Sequence, residues 1–138
     1  MIETDFLLAL ISAEDKHHGD VIELLDKLQG DISLSPHSLM ELDLLLRSRE
    51  IIVTNVEAFY DLLGELLNFR EITTTSMKPK HYGVAFKLRE KHDRLRYFDS
   101  LHAAFAIVEG LELLSYDKEY GNVTGLNHRH PDMYVPRK

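Results

Sequence analysis

An α/β fold, a three-layer α/β/α sandwich around a small parallel sheet, is what this sequence predicts, and three observations carry that reading. Short apolar runs with strand character are separated by segments of helical periodicity. No hairpin signal joins one run to the next, so the strands pair in parallel through helical crossovers. No repeat, low-complexity tract or Pro/Gly-rich linker interrupts the chain, so residues 1–138 read as a single domain.

The elements follow in order. The opening Met1-Ile2-Glu3-Thr4-Asp5-Phe6-Leu7 reads as a short strand turning into a helix that reaches Ile11. Val21, Leu24, Leu25 and Leu28 stand at i, i+3, i+4 and i+7, one helical face, with Gly30 as its stop. Ile32-Ser33-Leu34 is a strand. Ser35 then reads as an N-cap with Pro36 in the first turn of a helix through about Arg49. Thr54 caps the next helix, whose Val56, Phe59, Tyr60, Leu63 and Leu67 form an amphipathic stripe. Arg70 to Thr73 is a further strand, followed by helices from about Lys78 to His92 and from about Tyr97 to Glu109, the latter ended by Gly110. Leu111 to Ser115 reads as a buried strand, and the tail as turns around a last strand near Met133-Tyr134-Val135.

Bulk composition narrows the function. The chain has 138 residues, 44% hydrophobic and 28% charged, ordinary values for a globular domain. No apolar run approaches the roughly 18–20 residues of a membrane helix. The N-terminus has no basic region, and Glu3 and Asp5 interrupt its apolar stretch, so a cytoplasmic protein is expected. Cysteine is absent, which excludes disulfides, thiolate nucleophiles and zinc–thiolate sites and leaves carboxylate and imidazole as strong metal ligands. The net charge of −7 does not favour nucleic acid, so an RNA partner requires local positive charge or bridging divalent cations.

Ligands of parallel α/β sheets bind beyond the carboxyl ends of the strands, and several acids fall there. Glu3 and Asp5 end the first strand, on one side if the strand persists that far. Glu41 shares a helix face with Leu44 and Leu45, whereas Asp43 is tangential. Asp99 aligns with the small residues Ala103 and Ala106, while Phe98, Leu101, Phe105 and Val108 form the packing stripe of the same helix. Asp117 follows directly on the Leu111–Ser115 strand. Taken singly, Asp117 is a turn residue, Asp99 a first-turn helix acid and Glu41 a partly exposed helix residue. Taken together, clustered carboxylates are costly unless a cation offsets their repulsion, and an all-oxygen site suits Mg²⁺ or Mn²⁺.

In their order, Glu3-Thr4-Asp5, Glu41 in its Leu-rich helix, Phe98-Asp99-Ser100-Leu101-His102-Ala103-Ala104 and Glu109-Gly110-Leu111 to Asp117-Lys118-Glu119-Tyr120 resemble the PIN-domain nucleases, including VapC-type toxins. The resemblance runs over essentially the whole chain and implies metal-binding catalytic acids at Glu3, Glu41, Asp99 and Asp117. The family's first motif usually opens with Asp; here Glu3 is one methylene longer, and either Glu3 reaches the metal or Asp5 takes over. Thr4 and Ser115 are implied as supporting residues, Ser115 as the hydroxyl that orients the last acid. The implied reaction is metal-dependent hydrolysis of RNA phosphodiesters. A small antitoxin partner and a homodimer are implied as well, with the Val56–Leu67 helix at the dimer interface, although core burial explains that stripe equally well.

Positive charge concentrates just before Asp99. Lys80, Lys87, Lys91 and Arg94 (i, i+7, i+11, i+14) are read as one RNA-binding stripe opposite Tyr82 and Phe86, with a solvated helix face as the plainer alternative. His17, His18, His128 and His130 read as solvated, and His102, on the Asp99 helix and within reach of the pocket, as packing. A haloacid-dehalogenase-like phosphatase is rejected because Glu3 does not replace its aspartyl nucleophile and no late paired-Asp motif follows a strand. The remaining competitor is a PIN-like RNA-binding or protein-interaction module with weakened catalysis, which Glu3 keeps open.

Overall fold

The computed structural model describes residues 1–135. Its helices are α1 (Thr4–Ile11), α2 (His18–Lys27), α3 (Ser38–Arg47), α4 (Val56–Phe69), α5 (Pro79–Lys91) and α6 (Tyr97–Glu109). Its strands are short: β1 (Ser33–Leu34), β2 (Thr73–Thr74), β3 (Leu113–Leu114) and β4 (His128–Arg129). β1 pairs in parallel with β2, in register Ser33 to Thr73, and β3 with β4, in register Leu113 to His128. Ile2 bridges both pairs, parallel to Leu34 on one side and to Leu114 on the other. The sheet order is therefore β2, β1, Ile2, β3, β4. From Ile2 the chain builds one half of the sheet and then crosses to the other, which makes the space beyond Ile2 the topological switch point.

Adjacent strand residues point to opposite faces, and the cores divide accordingly. Ile2, Leu34 and Leu114 pack with Phe6, Leu24, Leu42 and Leu63 of α1 to α4. Met1 and Leu113 pack with Ala85, Leu88, Leu101 and Phe105 of α5 and α6. Helices on both faces of a parallel sheet are the three layers that the sequence predicts.

Local differences have local causes. The first strand contributes only Ile2, because Glu3 already caps α1 and accepts a hydrogen bond from the Asp5 N–H at 3.3 Å. Strand alternation therefore does not relate Glu3 to Asp5. Ser35 is not the cap of α3: the helix begins at Ser38 after a turn closed by the Ser38 N–H and the Ser35 carbonyl, and the Ser35 hydroxyl is engaged by His102. Asn55, not Thr54, caps α4, accepting from the Ala58 N–H at 3.0 Å. β3 starts only at Leu113 because the Leu111 N–H closes the end of α6 on the Ala106 carbonyl, with Gly110 at φ 65° supplying the left-handed cap. The last strand is His128–Arg129; the expected strand near Met133 is a 3-10 turn at Pro131–Met133, where proline brings no N–H to a ladder.

Candidate active site

The ends of Ile2 and β3 bring two carboxylates and the backbone N–H of a third acid to one hydroxyl. Glu3 is only 4% exposed, and its Oε1 accepts from Ser115 Oγ at 2.8 Å. Asp5 Oδ2 lies 2.9 Å from the same hydroxyl and accepts from the Tyr116 N–H at 3.0 Å. The Asp117 N–H donates to Ser115 Oγ at 3.1 Å. One hydroxyl proton serves two facing carboxylates, so their repulsion is only partly relieved. Burial, reinforced by Asp5 and then by Glu41, pushes the Glu3 carboxyl well above the usual glutamate range despite the Ser115 bond.

Glu41 enters from α3. Its Oε2 accepts from Thr4 Oγ1 at 2.8 Å and lies 2.8 Å from His102 Nε2. Burial pushes the carboxyl upward, but the bonds from His102 and Thr4, with the His102 and Arg96 charges, outweigh it and hold Glu41 below its usual value. His102 is fully buried; Nδ1 lies 2.5 Å from Ser35 Oγ, and Nε2 lies 3.8 Å from Glu3 Oε2. Ligating atoms of Glu3, Glu41 and His102 all fall within 4.8 Å of one another. Because a hydroxyl can donate or accept, Ser35 supports either ring tautomer, so Nε2 can present a proton or a lone pair. Glu41 also lines an open groove of about 510 Å³, together with Leu44, Leu45, Arg47 and Phe98.

Asp99 and Asp117 stand at the rim of this cluster. Asp99 Oδ2 accepts from Arg96 Nε at 3.2 Å, and Oδ1 from the Tyr120 hydroxyl at 3.3 Å. Asp117 Oδ1 accepts from the Glu119 N–H, opening the 3-10 turn Lys118–Asn122. Two side chains report how the acids gather. The buried Tyr120 phenol is driven upward by desolvation and by Glu3, Asp99, Asp5 and Glu41. The Arg96 guanidinium is held charged by Asp99 first, then by Asp117 and Glu41. All five expected acids thus act on one or other of two neighbouring groups, while the tight three-residue ligand set contains Glu3 and Glu41 together with His102.

The basic stripe comes out differently. α5 ends at Lys91 with His92 as its cap, so Arg94 lies in the following turn and not on the helical row of Lys80, Lys87 and Lys91. Lys80 pairs with Glu109 at 3.7 Å and Arg94 with Glu119 at 3.9 Å, whereas Lys87 and Lys91 are exposed. Tyr82 and Phe86, expected opposite the stripe, are exposed as well.

His102, Ser35, Tyr120 and Arg96 are the site residues that the sequence reading passed over. The signal for His102 was present: three residues after Asp99 it shares a helix face with that acid. Ser35 directly follows β1, at the strand end where the switch-point rule directs attention.

The donor set fits a hard divalent cation. Asp5 Oδ1 is buried and has no hydrogen-bond partner among the described residues, and the crowded Glu3 resists ionising without a counter-charge. Carboxylate oxygens suit Mg²⁺ or Mn²⁺, and His102 adds a nitrogen that the all-oxygen expectation did not include.

Fold and site together define a class: a parallel α/β/α sandwich with carboxylates concentrated at its switch point. The chain belongs to the PIN domain family, whose family model matches residues 1–126. No curated protein matches it. Among solved structures it is similar to a chain of VapBC2 from Rickettsia felis bound to a promoter DNA fragment, with TM-score 0.75, 18% identity, and 94% and 96% of the two chains covered. It is also similar to a chain of a toxin–antitoxin complex from Klebsiella pneumoniae, with TM-score 0.67, 14% identity, and 94% and 95% covered. At these identities the likeness is one of fold. Among the described residues, no helix is long and apolar enough to cross a membrane.

Proposed function

We propose that this chain is a divalent-metal-dependent ribonuclease and the toxin of a toxin–antitoxin pair. The observation that carries the reading is the meeting of Glu3, Glu41 and His102 within 4.8 Å at the switch point of a PIN fold, with Asp5, Asp99 and Asp117 tied to the same pocket. Glu3, Glu41 and Asp99 would hold Mg²⁺ or Mn²⁺, with Asp5, Asp117 or His102 completing the set. Bound there, the ion would supply an activated water and would neutralise charge on the phosphoryl oxygens.

Each protein group then has a task. Ser115 holds Glu3 and Asp5 at fixed bearing and anchors the turn that carries Asp117. Thr4 and His102 hold Glu41 ionised and ready to ligate. The buried Tyr120 donates to Asp99 and fixes its bearing. Lys87 and Lys91, with Lys80 and Arg94 once released from their exposed acid partners, would draw the RNA backbone toward the pocket.

The neighbours' complexes support a small antitoxin as partner, and exposed Val56, Leu62 and Phe69 on α4 support a homodimer through that helix. A cytoplasmic location accords with both. The test is cleavage of single-stranded and structured RNA by the pure protein across a Mg²⁺ and Mn²⁺ titration, with EDTA and Asp99→Asn as controls. Metal-dependent cleavage that Asp99→Asn abolishes is the expected result. Absence of cleavage on every RNA at every metal concentration would favour the RNA-binding or protein-interaction module instead.

A further inference from the structure

Arg96 is alone, among the lysines and arginines of the described residues, in forming an ion pair with any of the five pocket acids. Its side chain is 82% exposed and is held by a single contact, Nε to Asp99 Oδ2 at 3.2 Å. The terminal N–H groups of the guanidinium therefore face solvent with no partner. The backbone there is extended and precedes α6, so no helical packing fixes the side chain. The neighbouring Arg89 differs: it donates to Ser100 Oγ at 2.6 Å and lies over the Tyr97 ring at 5.0 Å.

A divalent cation and a guanidinium that share Asp99 repel each other. The exposed, singly held partner is the one that moves, and on the open side of the pocket the next available anion is the incoming nucleic-acid backbone. A planar guanidinium meets a phosphate with two parallel N–H bonds, as it does a carboxylate.

We propose that Arg96 is an internal counter-ion of the acid pocket, which yields Asp99 to the divalent cation and then binds a phosphodiester of the RNA substrate. The proposal rests on the nuclease reading above and adds the residue that exchanges one anion for the other. The fields of Asp99, Asp117 and Glu41 overlap at this guanidinium, so its charge is felt by the acids that would hold the ion.

Exchange makes a signature that a merely structural residue would not give: loss of the charge moves two affinities in opposite directions. In Arg96→Gln, Mn²⁺ binding measured by calorimetry on the cation-free protein should tighten roughly two- to fivefold, the scale of an exposed ion pair. Binding of a short fluorescein-labelled single-stranded oligoribonucleotide, with Ca²⁺ replacing Mn²⁺ to hold turnover down, should weaken. Its dependence of log K on log salt should flatten by about 0.7, one phosphate contact on a single strand. Arg96→Lys should keep the weaker Mn²⁺ binding and the salt slope of the parent, because it keeps the charge, while losing part of the RNA affinity with the fork. Weaker Mn²⁺ binding in Arg96→Gln, or unchanged affinity for both probes, overturns the proposal while the nuclease reading stands. Tighter Mn²⁺ binding with an unchanged RNA salt slope overturns the phosphate contact. A parent protein that binds neither probe overturns the proposal and the nuclease reading together.

Discussion

His102 Nε2 stands 2.8 Å from Glu41 Oε2 inside a fully buried ring environment, and the opposite ring nitrogen rests 2.5 Å from Ser35 Oγ. The ring therefore braces a carboxylate from α3 against the end of β1, across the face of α6. His102→Ala leaves the Ser35 hydroxyl and one side of Glu41 without partners and opens a cavity. Its expected cost is about 2–4 kcal/mol of stability in urea unfolding. Mn²⁺ affinity should fall in the same variant, and His102→Gln, which keeps an amide donor near Glu41, should recover part of both losses. Parental stability and Mn²⁺ affinity in His102→Ala would refute the bracing role.

Thr4 reaches the same Glu41 oxygen from α1, so Thr4→Val tests the second clamp with almost no change of volume. The substitution removes one donor to an ionised carboxylate and should cost about 1 kcal/mol at neutral pH. Glu41 is held below its usual value, so its stabilising contribution is present above the unfolded glutamate pKa of about 4.3 and is lost as pH falls through the lower folded value. With Thr4→Val the folded value rises, the acid loss shrinks, and the pH midpoint of Mn²⁺ loading moves upward. Unfolding curves and Mn²⁺ titrations across the acid range read both shifts; a midpoint that stays put or moves down contradicts the clamp.

Much of the framework was legible because the signals were local. The runs at Ile2, Leu34 and Leu113–Leu114 mark the sheet, and Glu3, Asp5 and Asp117 stand close after its strand ends. Strand lengths were not legible, since two-residue pairings such as Ser33–Leu34 with Thr73–Thr74 lie below the reach of any periodicity. The helical periodicity that aligns Arg94 with Lys80, Lys87 and Lys91 runs past His92, where the helix stops. His102 looked like core because it is core; its second identity depends on Ser35, 67 residues away, and on Glu41, 61 residues away. Contacts at such separation leave no trace in spacing. The Glu3–Asp5 relationship was expected from strand alternation and instead depends on Ser115, more than a hundred residues downstream.

α5 carries Lys80, Lys87 and Lys91, α6 carries Asp99, and one histidine clasps the two helices. His81 is nearly fully buried; its Nδ1 accepts from the Lys78 N–H at 2.8 Å, its Nε2 lies 2.7 Å from Glu109 Oε1, and its ring packs on Phe105 with centroids 4.7 Å apart. The backbone N–H fixes Nδ1 as acceptor, so Nε2 carries the proton toward Glu109. His81→Ala removes both bonds and the packing and should cost about 2–4 kcal/mol, whereas His81→Leu keeps most of the volume and should cost roughly half as much. Urea unfolding of the two variants separates packing from hydrogen bonding; equal losses would mean that the packing contributes nothing, and a His81→Leu protein as stable as the parent would mean that the bonds contribute nothing.

Glu3 gives the sharpest opposition between stability and ligand binding. Its folded pKa is raised, chiefly by burial and then by Asp5, so the protonated form is the one that the fold prefers. The contribution of this group is intact below the unfolded glutamate pKa and is lost as pH rises through the higher folded value. At neutral pH, where the glutamate of the unfolded chain is ionised, this crowded carboxyl therefore destabilises the cation-free protein. Glu3→Gln cannot ionise, keeps an oxygen to accept from Ser115, and gains an amide that can donate to Asp5. Without divalent ions, Glu3→Gln should exceed the parent in stability by on the order of 1 kcal/mol at neutral pH, with the gap closing as acid protonates the parental glutamate. A saturating cation should reverse the order: at a hundredfold over Kd it stabilises the parent by about 2.7 kcal/mol, and the variant, short of one anionic ligand, gains far less. Urea unfolding at neutral and mildly acid pH, with EDTA and with Mn²⁺, measures all four states. A Glu3→Gln protein less stable than the parent in EDTA at neutral pH would show that Glu3 is not under electrostatic strain, and equal Mn²⁺ stabilisation of the two would remove it from the ligand set in favour of Asp5.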